Sequence, residues 1–416
     1  MESQQKPSVT YIPRNAESRL QHFASGYPVV VVTGPRQSGK STLVRHAFPD
    51  HHYVSLEDLD QREFAEMDPR GFLNQYNGGT ILDEAQRCPA LFSYLQTRVD
   101  ERQQPGEFIL TGSQQFGLLS GITQSLAGRA ALLTLLPMTY GELQRSGKIG
   151  NNLDKILFDG AYPPIFDRGL EPHPWHGNYV RTYLERDVRQ LIKVQDLGTF
   201  QRFLKLCAGR TGQLLNLSSL ANDSGITHNT ARAWISVLEA SYIVHLLPPH
   251  HQNFSKRLVK TPKLYFLDTG LATWLLGIQN SAQLTTHVQR GALFETWVIS
   301  ELLKARYNAG ETSNLYFWRD RSGHEVDLLI DHGTHLSPLE IKSGQTINKD
   351  YFKGLDFWRK LAGETAGQAW LVYGGDTRQT RSDVTVLPWH EINSEQIVIL
   401  KHCIGRNDPC PCGSGK

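Results

Sequence analysis

At 416 residues the chain exceeds what one ordinary hydrophobic core organises, so two or three domains are expected. An apolar fraction of 39% with a formal net charge of only +2 excludes the disordered class, and any basic footprint for nucleic acid has to be local. No apolar run approaches the ~20 residues of a membrane-spanning helix, and Met1 to Pro13 lacks the apolar centre of a signal peptide. Cys88, Cys207, Cys403, Cys410 and Cys412 form no disulfide framework, so a reducing, cytoplasmic setting without a membrane partner is expected.

In chain order, the run Val29–Val32 predicts a buried strand leading straight into a glycine-rich turn. Strand-like pieces follow at Tyr53–Leu56, Thr80–Asp83 and Phe108–Thr111, with a one-sided helix over Leu91–Arg102. Strands alternating with helices predict a parallel α/β sheet covered on both faces. From about Asn178 to Leu246 the pattern is mostly helical. A long helix begins near Thr285, and strands are expected at Leu315–Trp318, Glu325–Ile330, Leu336–Ile341 and Ala369–Tyr373.

Gly34-Pro35-Arg36-Gln37-Ser38-Gly39-Lys40-Ser41 fits G-x-x-x-x-G-K-[ST] at every fixed position. Gly34 and Gly39 let the backbone wrap closely round phosphates, and successive N–H groups at a helix N-terminus face the anion. Lys40 is expected to reach the β- and γ-phosphates of ATP, Ser41 to ligate Mg²⁺, and Thr42 to add a phosphate contact. Asp83 and Glu84 end an apolar strand. Asp83 is expected to hold the Mg²⁺ and Glu84 to polarise the attacking water. Ser113, ending the next strand, is a candidate to orient that water, although ordinary turn chemistry also explains a Gly-Ser pair. Arg129 is a candidate to stabilise transferring charge, acting across a subunit boundary; an exposed helix-end arginine is the plain alternative.

With Leu82-Asp83-Glu84-Ala85-Gln86, Leu110-Thr111-Gly112-Ser113, Leu126-Ala127-Gly128-Arg129 and Tyr183-Leu184-Glu185-Arg186-Asp187, the chain resembles AAA-type prokaryotic ATPases that carry a C-terminal domain of unknown function. The resemblance extends from about Tyr11 to Pro388. It implies an AAA-like P-loop core over 1–145, a helical lid over 146–200, a winged helix over 201–280 and a nuclease-like fold over 285–395.

The residues themselves support parts of that plan. Leu217–Ile226 reads as a short helix closed by Gly225, and Thr227 caps a second helix through Glu239, as in helix-turn-helix geometry. A strand at Tyr242–Leu247 and the basic Lys256, Arg257, Lys260 and Lys263 are expected to form a wing, with Thr227, His228, Asn229 and Arg232 exposed toward DNA or toward a protein. Further on, Asp327, Glu340 and Lys342 resemble the core of the PD-(D/E)xK nuclease superfamily, with Val326 where the naming proline would stand. Glu340 and Lys342 share one strand face, and Glu295 on the preceding helix is a candidate to complete a second divalent-metal site. Glu340 and Lys342 also read as a structural ion pair.

The tail 400–416 resembles the start of a SEC-C zinc motif, with Cys410 and Cys412 as one ligand pair. Structural zinc takes four ligands, so a disordered end is expected rather than a zinc site. The resulting expectation is an Mg-dependent ATPase of α/β fold that couples nucleotide state to a winged helix and an α+β nuclease-like domain, with DNA as partner. An ATP-regulated nuclease and a protein-binding regulator are the alternatives, and a homo-oligomer is compatible with each.

Overall fold

The computed structural model describes residues 11–113, 125–184, 196–250, 259–381 and 383–392, together with Ile122 and Ile397. Its first sheet comprises β1 (Val29–Thr33), β2 (His52–Ser55), β3 (Thr80–Asp83), β4 (Phe108–Gly112) and β5 (Ala130–Thr134). All pairings are parallel, in the order β2-β3-β4-β1-β5. The valine run explains why β1 is central. Val29 and Val31 pack into one apolar cluster with Leu82 and Leu110, while Val30 and Val32 pack into the opposite one with Ile81 and Ile109. A strand buried on both faces has to be apolar at both phases of its two-residue period. Chain order reverses around β1, which lies between β4 and β5, and in open α/β sheets ligands bind beyond the strand C-termini at such a switch.

Sequence pattern located four of these strands and missed β5. The reason is its edge position: Leu132 points outward and is 46% exposed, so Ala130–Thr134 carries no simple alternation of apolar and polar residues.

Short helices at Leu153–Asp159, Pro163–Asp167 and Pro172–Tyr179 follow. Next come a helix at Leu197–Ala208 and the predicted pair, Leu217–Ser224 and His228–Ala240. The pair is joined as its sequence requires: Gly225 adopts the left-handed conformation (φ 73°), and the Thr227 side chain accepts from the Thr230 N–H. Three short strands, β6 (Gln213–Leu214), β7 (Val244–Leu247) and β8 (Lys263–Phe266), form an antiparallel sheet in the order β6-β8-β7 beside them. Lys256 and Arg257 lie outside the described residues, as does most of the Tyr183–Asp187 element.

The last region begins with the helix Arg290–Asn308, almost wholly buried along its length. A mixed sheet follows: β9 (Leu315–Arg319), β10 (Glu325–Asp331), β11 (Leu336–Lys342), β12 (Ala369–Tyr373), β13 (Gln379–Arg381) and β14 (Val384–Pro388), in the order β13-β14-β12-β11-β10-β9. The amphipathic helix Lys353–Ala362 covers one face through Leu355 and Trp358. One apolar core runs unbroken from Ile12 and Met138 through Phe203, Leu238 and Tyr265 to Trp297 and Leu339. The three regions are therefore packed together rather than strung on linkers. Among the described residues no helix is long and apolar enough to cross a membrane.

Candidate nucleotide site and acidic pocket

The glycine loop lies between β1 and the helix Lys40–Ala47, at the C-terminal edge of the sheet. Gly34 has φ 144°, and a Cβ there would stand 2.1 Å from the Leu135 carbonyl oxygen. Gly39, with φ 92°, is the left-handed N-cap of the helix. Both positions therefore demand glycine for backbone reasons. The buried Lys40 ammonium donates to the Gly34 and Pro35 carbonyls at 3.0 and 2.8 Å. Beneath the loop, the buried Arg14 guanidinium donates to the Ser38 and Leu136 carbonyls, both at 2.7 Å, and pairs with buried Glu142 at 3.2 Å. Ser38 Oγ is buried without a hydrogen-bond partner.

Asp83 faces the loop. Ser41 Oγ donates to its Oδ1 at 3.0 Å, Tyr53 OH donates to its Oδ2 at 2.6 Å, and the Thr111 hydroxyl also donates to Oδ1. Burial, then the bond to Asp83, pushes the Tyr53 phenol above its ordinary value, so it stays a donor. Glu84 adopts the left-handed conformation (φ 55°) and accepts from Ser113 Oγ at 3.1 Å and from the Gln86 amide. Non-glycine residues in that region are uncommon and strained, and here the strain turns a carboxylate from the end of β3 toward the loop.

These groups open on a cavity of about 270 Å³ that includes Gln37, Gly39, Lys40, Ser41, Thr42 and Glu84. Its far wall is made by Tyr11, Ile12, Met138, Pro163, Pro164 and Arg168, none of which forms a motif in the sequence. They come from an N-terminal segment and from the helical region, so only folding brings them to the loop. The residues fit a nucleotide: a cradle that a single Cβ would fill, with an ammonium, a hydroxyl–carboxylate pair and a second carboxylate at its mouth.

Arg129 is not part of this arrangement. It precedes β5 and its carbonyl accepts from the Val29 N–H, which places it at the opposite end of the sheet from Gly34. Its guanidinium forms a two-pronged pair with Asp100, at 2.5 and 2.9 Å, on the surface. Within its own chain it does not reach the loop.

The second group of expected residues meets in a cavity of about 550 Å³ lined by Glu295, Glu325, Asp327, Glu340, Lys342 and Lys263 among others. Lys342 Nζ stands 3.0 Å from Asp327 Oδ2 and 2.6 Å from Glu340 Oε1, and the Ile341 N–H donates to Asp327 at 2.9 Å. Glu295 accepts from Tyr265 OH at 2.5 Å and from Lys263 Nζ at 3.3 Å, and Lys263 also pairs with Glu325. Burial, then Asp327, pushes the Glu340 carboxyl up to about 8, and its Oε2 is buried without a partner. Burial also raises Glu295. Burial alone would lower both lysines, but the surrounding carboxylates overcome it and hold them above their ordinary value.

Two expectations are corrected here. Lys263 does not belong to a basic surface: it is 3% exposed and sits among acids. The second metal site is not formed either, because among the described residues no three His, Cys, Asp or Glu side chains are arranged to hold a metal. The carboxylates are engaged by ammonium groups instead. Cys410 and Cys412 lie outside the described residues. Cys88 and Cys207 are buried and free, with burial raising both thiols, which makes them packing residues.

A parallel sheet with this strand order, a glycine-lysine-serine loop after β1 and an acid pair ending β3 define an AAA-type P-loop ATPase domain. An AAA domain model matches residues 26–144, and two domains of unknown function, DUF8612 and DUF4143, match 150–282 and 290–392. A SEC-C motif matches 406–416. Two uncharacterized proteins, Rv2008c of Mycobacterium tuberculosis and Mb2031c of Mycobacterium bovis, are each 32% identical over 338 residues, covering 80% of this chain and 74% of theirs. The chain belongs to the family of these mycobacterial proteins. Among solved structures, the Walker-type ATPase PABY2304 of Pyrococcus abyssi is 14% identical, covering 65% of this chain and 98% of its own, with a TM-score of 0.45. AMPPCP-bound DnaA from Aquifex aeolicus is also 14% identical, covering 54% and 85%, with a TM-score of 0.29.

Proposed function

We propose that the chain binds Mg·ATP in the cavity above the glycine loop, hydrolyses it there, and passes the nucleotide state to the regions packed behind that cavity. The observation that carries this reading is the convergence on one cavity of Lys40, the Ser41–Asp83 pair and Glu84 with Ser113. When ATP is bound, the loop N–H groups from Gly34 to Gly39 take the phosphate oxygens, and Lys40 exchanges its loop carbonyls for the β- and γ-phosphates. Ser41 and Asp83 hold the Mg²⁺, which would neutralise developing phosphate charge. Glu84, with Ser113 beside it, accepts a proton from the attacking water. Tyr11, Ile12, Met138 and Pro163 offer an apolar slot for the base, and Arg168 brings positive charge from the helical region. Phosphate release from Mg·ATP, measured for the unaltered chain and for Glu84→Gln, tests this: nucleotide binding with lost turnover in the variant supports it, and equal turnover removes Glu84 from the chemistry.

A role for DNA is supported by the helix pair 217–224 and 228–240, whose second member leaves Thr227, His228, Asn229 and Arg232 exposed at its start. Affinity for duplex DNA that falls steeply with salt and weakens in Arg232→Ala would bear this out. The helix–strand–strand–strand–helix–strand order of the C-terminal region, with Asp327, Glu340 and Lys342 in mutual contact, favours a PD-(D/E)xK-like fold. The lysine pairing favours a fold without present cleavage. Arg129 remains a proposal for contact with a second copy, where leaving Asp100 would free its guanidinium for a neighbouring site.

A further inference from the structure

Asp83 is 7% exposed, and the side chains that donate to it among the described residues are all neutral hydroxyls: Ser41 and Thr111 on Oδ1, and Tyr53 on Oδ2 at 2.6 Å. The acidic pocket differs chemically. There ammonium groups neutralise the carboxylates, whereas hydroxyls orient Asp83 and leave its charge to a cation.

Tyr53 is the member of this set that no motif announces. It stands on β2, the edge strand, where the parallel register pairs Ser55 with Asp83 and Tyr53 with Ile81. Tyr53 is therefore two residues short of its acceptor, on the same strand face as Ser55, and a long side chain is needed to carry a hydroxyl across that offset. The Arg45 guanidinium lies over its ring, 4.7 Å from the centroid. Arg45 follows Ser41 by four residues on the helix Lys40–Ala47, so one face of that helix meets both Asp83 and the tyrosine bonded to it. Asp83 lines the nucleotide cavity and Tyr53 does not.

A carboxylate turns easily about its terminal torsion, whose wells are broad, so hydrogen bonds have to set its plane. Once the Ser41 hydroxyl turns to a cation, Thr111 is left on Oδ1, and Tyr53 is the one donor on Oδ2 among the described residues. We propose that Tyr53 is a positioning residue for the Mg²⁺ ligand Asp83, its hydroxyl holding the carboxylate in the orientation that accepts the cation while Arg45 holds the ring. The inference rests on the ATP reading above and adds to it a residue of the edge strand through which metal affinity is set. Removing such a partner of a metal ligand costs about 10–100-fold in metal affinity.

The test is titration calorimetry of a non-hydrolysable ATP analogue on the full chain, in excess Mg²⁺ and in EDTA, for the parent, Tyr53→Phe and Asp83→Asn. Mg²⁺ should tighten the analogue on the parent. Tyr53→Phe keeps the ring over Arg45 and leaves the cavity lining unchanged, so in EDTA it should match the parent within about twofold. In Mg²⁺ it should bind about tenfold or more weakly, losing most of the gain that the metal gives, as Asp83→Asn does. Retention of that gain in Tyr53→Phe overturns the inference and leaves the ATP reading standing. Equal weakening with and without Mg²⁺ also overturns it, because it reports a structural role. So does loss of the native circular dichroism in Tyr53→Phe, since a hydroxyl required for folding is structural. Should Asp83→Asn keep the gain, or the parent show none, the ATP reading fails and this inference with it.

Discussion

Tyr242 OH donates to Thr33 Oγ1 at 2.9 Å, across 209 residues of sequence. Thr33 ends β1, one residue before the glycine loop begins, and it also meets Thr134 Oγ1 at 3.3 Å on β5. Tyr242 follows the helix His228–Ala240 and holds the left-handed conformation at φ 57°. A non-glycine residue in that conformation persists when its surroundings over-determine it. The base of the nucleotide loop is thus tied by one buried bond to the helix pair proposed to face DNA.

Tyr242→Phe removes the hydroxyl and keeps the ring. Thr33 retains Thr134, so the expected loss is that of one buried hydrogen bond, about 1 kcal/mol. Equilibrium denaturation in urea should show an earlier midpoint at unchanged slope. A midpoint equal to that of the parent chain would mean that the bond contributes nothing net.

Gly34→Ala addresses the loop through its backbone. The added Cβ meets a main-chain oxygen, which no side-chain rotation relieves. Nucleotide affinity should fall by more than tenfold, about 1.4 kcal/mol or more. Lys40→Ala should do the same by removing the ammonium that the phosphates would meet. Titration calorimetry with a non-hydrolysable ATP analogue reads both, and undiminished binding in either would contradict the proposed site.

How much of this was readable beforehand follows from where the information sits. The glycine loop and the acids at the end of β3 are each contiguous in sequence, so the meeting of that loop with Asp83 and Glu84 in one cavity was legible. Val29–Val32 announced a buried strand because burial on both faces leaves no room for polar residues. Glu340 and Lys342 were placed on one face by the period of a strand, and they do touch. Arg14 and Tyr53, and the far wall of Tyr11, Met138 and Pro163, were not legible, since nothing local distinguishes an arginine that will brace a loop 24 residues away. Lys263 is the sharpest case. Among Lys256, Arg257 and Lys260 it reads as one more surface charge, and only the docking of β8 against β10 turns it into the counter-ion of a buried cluster.

The helix Arg290–Asn308 connects the two cavities in a different way. Lys304 Nζ donates to the Met138 carbonyl at 2.9 Å and to Glu301 at 2.8 Å, while Glu301 accepts from the Tyr140 N–H at 2.8 Å. Both side chains are buried, and Glu295 of the acidic pocket lies on the same helix, about 9 Å from Glu301 and about 14 Å from Lys304 along its axis. Lys304→Met takes the ammonium away from the buried Glu301 carboxylate, which should cost about 3–5 kcal/mol, whereas Lys304→Met/Glu301→Gln should recover much of that loss. Denaturation of the single and double variants decides whether the pair acts as a unit; additive losses would show that it does not.

Glu340 makes the stability of the chain depend on pH with a definite sign. Its folded carboxyl titrates near 8, against an ordinary value of 4.5, because burial and the neighbouring Asp327 disfavour its charged form. Between those values the folded chain holds a proton that the unfolded chain releases, so stability falls as pH rises through that window. Its contribution is fully present below pH 4.5 and lost by the time pH passes about 8. Glu340→Gln, which is neutral throughout, should therefore show a smaller decline in denaturation midpoint between pH 5 and pH 8.5 than the parent chain. Parallel declines would mean that Glu340 is already ionised against Lys342 at neutral pH.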